Sequence, residues 1–274
     1  MTSKQRRLPA PKLIRLTRAA TLALALALPS LAPVRLAAQQ SAPDAATRDP
    51  NQIIHSIDEA VRLRNSQVAA YTVQELYSVY RNGETSPSAQ VTVKTVYTRG
   101  SGKEYTPIAQ SGSSIMRNVV INHILANEKE MAKAANRESV ALTSANYVMH
   151  PQPGIVQYNG HACVIVDLKA RRKIAFLFNG KGWFDTTDFT LVHIEGSPAA
   201  SPSFFAGQTS GVRDYTRING FSMAQHAEMH SHSFLFGTTI MKIDYTNYQI
   251  SSITGHTPAT SPPQLARPHL QPIS

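Results

Sequence analysis

Four Asn-Gly pairs, at residues 82–83, 159–160, 179–180 and 219–220, separate extended runs of this chain. Asn-Gly tolerates positive φ at both central positions of a turn, which is what the two-residue β-hairpin requires. No helical pattern lies between the strand-like runs after about residue 137, so parallel strands joined by crossover helices are not expected. The spacing of the four pairs therefore predicts a large antiparallel sheet.

The elements between and before these turns follow from residue type and periodicity. Four runs rich in β-branched and aromatic residues are predicted as strands: VTVKTVYT (91–98), ACVIVDL (162–168), KIAFLF (173–178) and TIMKIDYTNYQI (239–250). One helix is predicted to begin at Asp49 and Pro50, a capping residue followed by a residue suited to the first helical position. A second is predicted over 114–135, with an apolar first half that covers other apolar surface and a charged second half that faces solvent. The predicted fold class is α+β, mostly antiparallel β, with two covering helices.

The first 38 residues differ in composition from the rest of the chain. They hold seven basic residues, no acidic residue and the apolar run AATLALALAL, which is typical of a secretory signal peptide. Cleavage is predicted after Ala38, and no cysteine near that position provides a lipid-anchoring site, so a soluble periplasmic protein is expected. A polar linker (39–48), one folded domain (49–252) and a Pro-rich disordered tail (253–274) complete the predicted organisation.

Charge and cysteine content exclude two classes of protein. The chain has 27 basic and 17 acidic residues, but removing the seven basic residues of the predicted signal peptide lowers the net charge from +10 to +3. Since this charge does not mark a nucleic-acid surface, no nucleic-acid partner is expected. The single cysteine, Cys163, cannot form an internal disulfide and is predicted to be a small buried side chain.

The motif HAEMHSH (226–232) has the composition of a metal site but not its spacing. Glu228 is two residues from His226, whereas the helical zinc motif HExxH places the glutamate next to the first histidine. The zinc deaminase pattern also fails because it requires a later PCxxC. In a strand, one face carries His226, Glu228, His230 and His232, and the other carries Phe221, Met223, Ala227 and Met229. His226 and His230 would then stand roughly 13 Å apart, so a solvated face is predicted, with His230 and His232 as candidates for adventitious metal binding only.

Other catalytic patterns are missing from the sequence. Neither the GxSxG nucleophile elbow nor a phosphate-binding glycine loop occurs. Asp185, Asp188 and Glu195 lie along a predicted strand and are interpreted as surface charges rather than as a pair of catalytic carboxylates. The protein is therefore predicted not to be an enzyme.

Aromatic side chains are plentiful in the C-terminal half, and a single sheet has only two helices against which to bury its apolar face, which leaves two interpretations open. They form either a plain core beneath the helices or the wall of an apolar cavity for an acyl chain or a peptide. The candidate ligand-binding residues, with the second helix as a lid, are Val91, Val93, Ile121, Ile124, Leu125, Phe176, Phe178, Trp183, Phe234 and Phe236.

The order of elements resembles the LolA/LolB-type family of periplasmic lipoprotein carriers and their RseB-like relatives. The resemblance covers about 50–252 and rests on YTVQELYSVYRNGE, QVTVKTVYTRG, the mid-chain helix and DYTRINGFSMAQ. The piece most like the family is a closing pattern made by Gly237, Ile243, Tyr245, Tyr248 and Ile250. The segment 195–211, the His-rich strand and the Pro-rich tail depart from the family pattern.

The resemblance implies a half-open antiparallel β-barrel, or strongly curved sheet, whose helix-covered face binds lipid acyl chains without catalysis or a cofactor. The implied partners are hydrophobic or lipidated cargo and a membrane-associated donor or receptor protein. Two alternatives remain open at this point. One is an RseB-like envelope sensor or protein-interaction module, and the other is a secreted metal-dependent hydrolase centred on the three histidines of HAEMHSH.

Overall fold

The computed structural model describes residues 49–201, 207–233 and 237–253. The predicted signal peptide, the predicted linker and the predicted tail beyond Ile253 lie outside the described residues, as do Phe234 and Phe236.

One antiparallel sheet forms most of the described structure. Its strands are β1 (Val68–Arg81), β2 (Ala89–Thr98), β3 (Gly102–Gly112), β4 (Tyr147–Pro151), β5 (Val156–Tyr158), β6 (His161–Ala170), β7 (Phe178–Asp185), β8 (Leu191–Pro198), β9 (Thr209–Ile218), β10 (Phe221–Ser233) and β11 (Gly237–Ser252). The order across the sheet is β3-β2-β1-β11-β10-β9-β8-β7-β6-β4, with β5 paired to β6. Because β3 and β4 end this order without pairing to each other, the sheet is not closed. The predicted mostly antiparallel, half-open fold is confirmed.

Three of the four Asn-Gly pairs turn the chain, two of them, at 159–160 and 219–220, as the predicted two-residue hairpin and the third, at 82–83, at the start of a longer connection from β1 to β2. Asn82, Asn159 and Asn219 have φ between 48° and 51°, and the glycine after each has φ of 81° or 83°. The fourth prediction is wrong, because Asn179 and Gly180 lie inside β7. Gly180 pairs with Gly196 of β8, and a Cβ at Gly180 would stand 1.9 Å from the Glu195 carbonyl oxygen. At this position glycine permits a close approach of two strands rather than a turn.

Three of the four predicted strands form, and the run 173–178 does not. Residues 173–177 are irregular, and β7 begins only at Phe178. Leu177 lies in this irregular stretch and is fully buried in the cluster beneath α1. The apolar residue at this position therefore serves the core and does not belong to a strand. A short apolar run does not by itself distinguish these two outcomes.

The first helix begins where the sequence predicts. In α1 (Pro50–Gln67), the Asp49 carboxylate accepts a hydrogen bond from the Asn51 amide at 2.9 Å. Ile53 and Ile57 form its buried stripe.

The second predicted helix is divided into several pieces. It consists of α2 (Ser114–Met116), a π-helical segment (Arg117–Ile121) and α3 (Asn122–Ala132). The extended backbone of Lys133 then ends α3, and a helix absent from the prediction, α4 (Ala134–Val140), follows. None of the described helices is long and apolar enough to cross a membrane.

Two hydrophobic clusters form on the helix-covered face of the sheet. The β1–β2 cluster lies beneath the segment from α2 to α3 and contains Val73, Tyr77, Val79, Ala89, Val91, Val93, Met116, Ile121, Ala227, Met241, Ile243 and Tyr245. The β6–β7 cluster lies beneath α1 and contains Ile53, Ile57, Tyr147, Met149, Val164, Val166, Leu168, Leu177, Phe184 and Phe189. Separate helices therefore cover the two clusters.

Candidate functional site

A cavity of about 450 Å³ lies between α1, the end of α4 and the helix-covered face of the sheet. Its apolar lining comes from both sides of this space. Leu63 belongs to α1, Val140 ends α4, and Leu142 follows α4, whereas Leu191 and Met223 come from strands β8 and β10. The cavity therefore exists only because helices and sheet come together here.

Tyrosine rings form much of the sheet-side wall: Tyr71, Tyr97, Tyr215, Tyr245 and Tyr248 line the cavity. The rings of Tyr71 and Tyr97 stack with centroids 4.8 Å apart, and the Tyr248 hydroxyl donates to the Ala224 carbonyl at 2.8 Å. Burial raises the pKa of Tyr71, Tyr245 and Tyr248, so these side chains stay neutral at physiological pH. The tyrosines therefore give the sheet-side wall an uncharged aromatic surface with a few hydroxyl groups.

Four charged side chains form a compact ion cluster that joins the cavity to α3. The Lys103 ammonium lies 2.7 Å from one Glu128 oxygen, and the Arg213 guanidinium lies 3.6 Å from the other. Burial would raise the pKa of Glu128, but Lys103 and Arg213 outweigh it and hold that pKa at about 2. Burial likewise works against the charge of Lys103, yet Glu128 and its other neighbours raise the Lys103 pKa well above its ordinary value. All three groups are charged at neutral pH, so α3 is bound to the sheet by ion pairs. The prediction that the second half of this helix faces solvent is wrong at Glu128, because Lys103 and Arg213 of the sheet hold its carboxylate.

Glu75 is the fourth member of this ion cluster and lines the cavity with only 1% of its surface exposed. The Tyr77 hydroxyl donates to its Oε2 at 2.5 Å. Its Oε1 lies 4.0 Å from the Lys103 ammonium and accepts no hydrogen bond from the described residues. Glu75 follows Val73 and precedes Tyr77 on the inward face of β1, so strict alternation of a buried face was the sequence signal that could have identified it.

Two arginines at the helix side of the cavity have hydrogen-bond partners but no acidic one. Arg64, in the last turn of α1, donates from Nε to the Ser222 carbonyl at 3.1 Å. Arg137, in α4, donates to the Tyr97 hydroxyl and to the Arg99 carbonyl, the latter at 2.8 Å. Within the part of the chain that the structure describes, neither forms a salt bridge.

The predicted ligand-binding residues fall into separate groups, and none of the eight described ones lines this cavity. Five of them, Val91, Val93, Ile121, Ile124 and Leu125, belong to or pack against the β1–β2 cluster. Phe178 packs against the β6–β7 cluster, whereas Phe176 is 41% exposed. Trp183 alternates to the other face of β7, where it contacts Tyr158 and His193. Phe234 and Phe236 lie outside the described residues.

The charged residues of the cavity lining were not among the predicted ligand-binding residues, because they are polar and come from separate parts of the chain. Among them, Arg64, Glu75, Lys103 and Arg137 come from two helices and two strands. A prediction that rests on apolar side chains does not include these four residues. The tyrosines of β11, by contrast, were already visible in the family-like closing pattern.

From His226 onward the histidine-rich strand has the predicted face pattern, with Ala227 buried on the opposite face. A register irregularity between Ala224 and His226 interrupts the predicted alternation before that point, where Ser222 and Met223 are both buried. On the face opposite Ala227, His226 bonds Asp244 at 2.8 Å and His230 bonds Glu228 at 2.6 Å. Among the described residues, no group of three or more His, Cys, Asp or Glu side chains is arranged to hold a metal ion.

The interpretation of Asp185 as a surface charge is wrong. Asp185 is 6% exposed, and its carboxylate lies 2.7 Å from His161 and 3.5 Å from Arg217. Burial alone would raise its pKa, but hydrogen bonds from Thr187 and His161 together with Arg217 lower it. Asp185 therefore stays ionised as part of a polar network where β7 ends.

Cys163 is buried, as predicted. Burial raises the pKa of its thiol to about 11, so the side chain is neutral and weakly reactive in the folded protein.

Comparison with known proteins finds likeness in structure but not in sequence. No protein-family model matches the sequence, and a search of curated proteins also finds no match. Among solved structures, a domain assigned as an outer membrane lipoprotein-sorting protein from Vibrio parahaemolyticus is 10% identical, with a TM-score of 0.42, and the match covers 76% of this chain and 94% of that chain. A LolA superfamily protein from Nitrosomonas europaea is 9% identical with a TM-score of 0.37, covering 78% and 98% of the two chains.

A third solved structure, the MucA/MucB complex of Pseudomonas aeruginosa, matches at 8% identity and a TM-score of 0.26, covering 72% of this chain and 93% of that chain. The family resemblance stated from the sequence is thus found again by the structure search. Likeness at this level carries no argument about what this chain binds.

Proposed function

We propose that this protein is an exported, non-catalytic carrier or binder of hydrophobic cargo that carries an acyl chain, such as a lipid or a lipoprotein. The observation that carries the proposal is the cavity of about 450 Å³ on the helix-covered face of the sheet. Its volume falls within the range of about 300–1,000 Å³ that is usual for small-molecule sites. Its aromatic and aliphatic walls suit a hydrocarbon chain.

Burial of hydrocarbon supplies the driving force for such binding. Each methylene removed from water contributes about 0.8 kcal/mol, so a chain of ten buried methylenes gains about 8 kcal/mol before the cost of association is subtracted. A neutral tyrosine wall adds ring surface without introducing charge, and its hydroxyls provide a small number of polar contacts. Binding that depends on chain length is therefore expected.

The segment from α2 to α3 is proposed to act as the lid over the β1–β2 cluster. Ile124 and Leu125 pack on this cluster, and the π-helical segment interrupts the regular helix just before them. Such interruptions occur frequently at functional sites. When the lid lifts, Val91 and Val93 beneath it would extend the apolar surface available to longer cargo.

Native mass spectrometry and organic extraction of protein purified from the envelope of its own cells test the proposal directly. We expect a copurifying lipid, and saturable binding of a fluorescent fatty acid by the delipidated protein. The proposal is rejected if no lipid copurifies and the fluorescent fatty acid shows no saturable binding.

A matched pair of substitutions locates the binding site. Ala224 lines the cavity, whereas Ala109 is exposed on β3, so Ala224→Trp and Ala109→Trp add the same bulk at different places. We expect Ala224→Trp to weaken binding of the fluorescent fatty acid at least tenfold and Ala109→Trp to leave it unchanged. Circular dichroism of both variants verifies that they are folded. Equal affinities would place the binding site elsewhere.

An edge strand favours one second candidate function, a protein-interaction module of the RseB-like kind. β3 ends the sheet and pairs only with β2 among the described strands, and its residues 106–112 are exposed. An extended segment of another protein could add to such an edge by strand pairing. Recovery of one specific protein partner without lipid in a pulldown would favour this function over the carrier.

A further inference from the structure

We propose that the cavity selects amphiphiles with an anionic head group, and that Arg64 and Arg137 bind this head group. The inference rests on the proposed function and adds the chemical class of the ligand to it. The class includes a fatty-acid carboxylate and a phosphate monoester on a hydrocarbon chain.

The charges that line the cavity are unequal in sign. Its cationic residues are Arg64, Lys103, Arg137 and Arg213, and its acidic residues are Glu75 and Asp188. Lys103 and Arg213 are compensated by Glu75 and by Glu128, the latter from α3, and together these four groups have no net charge. The Asp188 carboxylate is compensated by Arg217, which lies at 2.5 Å.

This leaves two positive charges, both on the helix side of the cavity. Arg64 comes from α1 and Arg137 from α4, and in the described structure no carboxylate lies within salt-bridge distance of either. Glu138, the neighbour of Arg137 in sequence, is exposed and lines an adjoining recess that Arg137 shares, rather than the cavity itself. Neither acidic side chain of the lining, Glu75 or Asp188, therefore pairs with either arginine.

The two guanidinium groups are held in place while most of their donors stay available. Arg64 donates from Nε to the Ser222 carbonyl and from a terminal nitrogen to the Met223 sulfur at 3.5 Å. Arg137 donates to the Tyr97 hydroxyl and to the Arg99 carbonyl. A guanidinium carries five N–H donors, so several on each remain for a ligand. Carboxylates and phosphates are the groups that this fork of donors binds in bidentate fashion.

Apolar surface adjoins both arginines, which argues for an amphiphile and against a free ion. Leu63 precedes Arg64 on α1, and Val140 follows Arg137 by one helical turn on α4, and both line the cavity. A head group at the arginines would thus place its hydrocarbon chain against the aliphatic and tyrosine walls. Partial exclusion of water there strengthens the charge interaction relative to bulk solvent.

A series of probes with one chain and different head groups tests the inference. Dodecanoate, dodecyl phosphate, dodecanol and dodecyltrimethylammonium, each below its micelle concentration, would be titrated into delipidated protein by calorimetry, with inorganic phosphate alone as a further arm. We expect both anionic probes to bind at least tenfold more tightly than dodecanol, the cation to bind most weakly, and added salt to reduce the difference. Inorganic phosphate should bind far more weakly than dodecyl phosphate.

Charge-removing variants with a matched control assign the effect to these two arginines. Arg64→Gln and Arg137→Gln should lower the ratio between the dodecanol and dodecanoate Kd values toward one, whereas Arg64→Lys and Arg137→Lys should largely keep it. Arg62→Gln removes the same charge from an exposed position on α1, where Arg62 pairs with Glu59, and should leave the ratio unchanged. The ratio distinguishes a binding role from a structural one, since lost packing weakens all probes together.

Each remaining outcome overturns a specific claim. Equal affinity for dodecanol and dodecanoate rejects head-group selection but leaves the carrier function standing. Binding of none of the four probes rejects the carrier function itself. Inorganic phosphate binding as tightly as dodecyl phosphate shows a simple anion site, and an unchanged ratio in both glutamine variants shows that other groups select the head.

Discussion

The two clusters on the helix-covered face of the sheet differ in how their helices are attached. Over the β6–β7 cluster, α1 buries Ile53 and Ile57 completely or nearly so. Over the β1–β2 cluster, Met116 and Ile121 are buried, but Ile115 is 63% exposed and Val119 is 49% exposed.

Ion pairs add to the apolar contact that Met116, Ile121 and Ile124 make over the β1–β2 cluster. Lys103 and Arg213 of the sheet hold Glu128 of α3. Apolar burial stabilises without specific geometry, whereas a buried ion pair is highly sensitive to the loss of one partner. The two covering segments therefore differ in the share of charged contacts that hold them, and the cavity is lined from the α1 side.

The largest expected effect comes from breaking the ion cluster on one side only. Glu128→Leu leaves the Lys103 ammonium with Glu75 at 4.0 Å as its remaining carboxylate neighbour, so we expect a loss of about 3–5 kcal/mol in the free energy of unfolding. The double variant Lys103→Met/Glu128→Leu removes both charges of the closest pair but leaves Glu75 without Lys103 and Arg213 without Glu128, so it should recover only part of that loss. Denaturant unfolding measures both, and a double variant as unstable as the single one would contradict the ion-pair account.

The same carboxylate predicts a pH dependence of stability. Its folded pKa of about 2 lies below the ordinary value of 4.5, so Glu128 stabilises the fold above about pH 4.5. This contribution, about 3 kcal/mol, is lost as the pH falls from 4.5 toward 2. Between pH 4.5 and pH 2, the free energy of unfolding should therefore change less with pH for the Glu128→Leu variant than for the natural protein.

The next largest effect compares two fully buried isoleucines, one in each covering segment. Ile57→Ala in α1 should cost about 2–5 kcal/mol, the usual range for a large aliphatic side chain lost from a core. Ile121→Ala, in the π-helical segment, should cost less than half as much because that segment can shift over the cluster. Denaturation midpoints give both values, and equal losses would show that both helices are permanent core.

A smaller effect is expected at two turns, one near each cluster. Gly83 and Gly160 have φ of 81° and 83°, and an added Cβ would meet no atom within 4 Å at either, so alanine introduces backbone strain alone. Gly160 lies in a two-residue hairpin that cannot adjust easily. Gly160→Ala should therefore lower the free energy of unfolding by about 1 kcal/mol, or Tm by about 2–4 °C. Gly83→Ala should cost less, since residues 84–88 follow the turn and can adjust. A larger loss at Gly83 would reverse the comparison.

The smallest effect on stability is expected from Ile124→Asp, which tests the lid. Ile124 packs at the margin of the β1–β2 cluster, so a carboxylate there should release α3 while leaving the strand pairing intact. We expect stronger binding of a hydrophobic dye to the empty protein, weaker retention of cargo and a nearly unchanged unfolding midpoint. A large fall in the midpoint without altered dye binding by the folded fraction would instead make this helix plain core.

Local patterns in the sequence predicted turns and strand faces, but they could not show which copies of the same dipeptide form a turn. Asn159-Gly160 and Asn179-Gly180 are the same dipeptide, yet only the first turns the chain. The second lies opposite Gly196, a partner in another strand that no local pattern reveals.

The candidate site was harder to predict because its chemistry is spread across the chain. Glu75 lies within one alternating strand and was accessible to pattern reasoning. Arg64 and Arg137 line one cavity only after α1 and α4 have packed on the sheet. On their own helices they are indistinguishable from solvent-facing residues, so the sequence predicted an apolar cavity wall and missed its charged side.

Pairing of β1 with β11 has a consequence for how the chain folds. The two strands lie side by side in the sheet, but residues 82–236 separate them along the chain. Closing so long a loop costs entropy before any contact compensates for it, so this pairing slows folding. A nascent chain that has not yet reached residue 237 lacks β11 and cannot complete its sheet. Hairpins such as β2–β3 and β6–β7 can form earlier, but the whole sheet is completed only when the last strand of the described chain has been made.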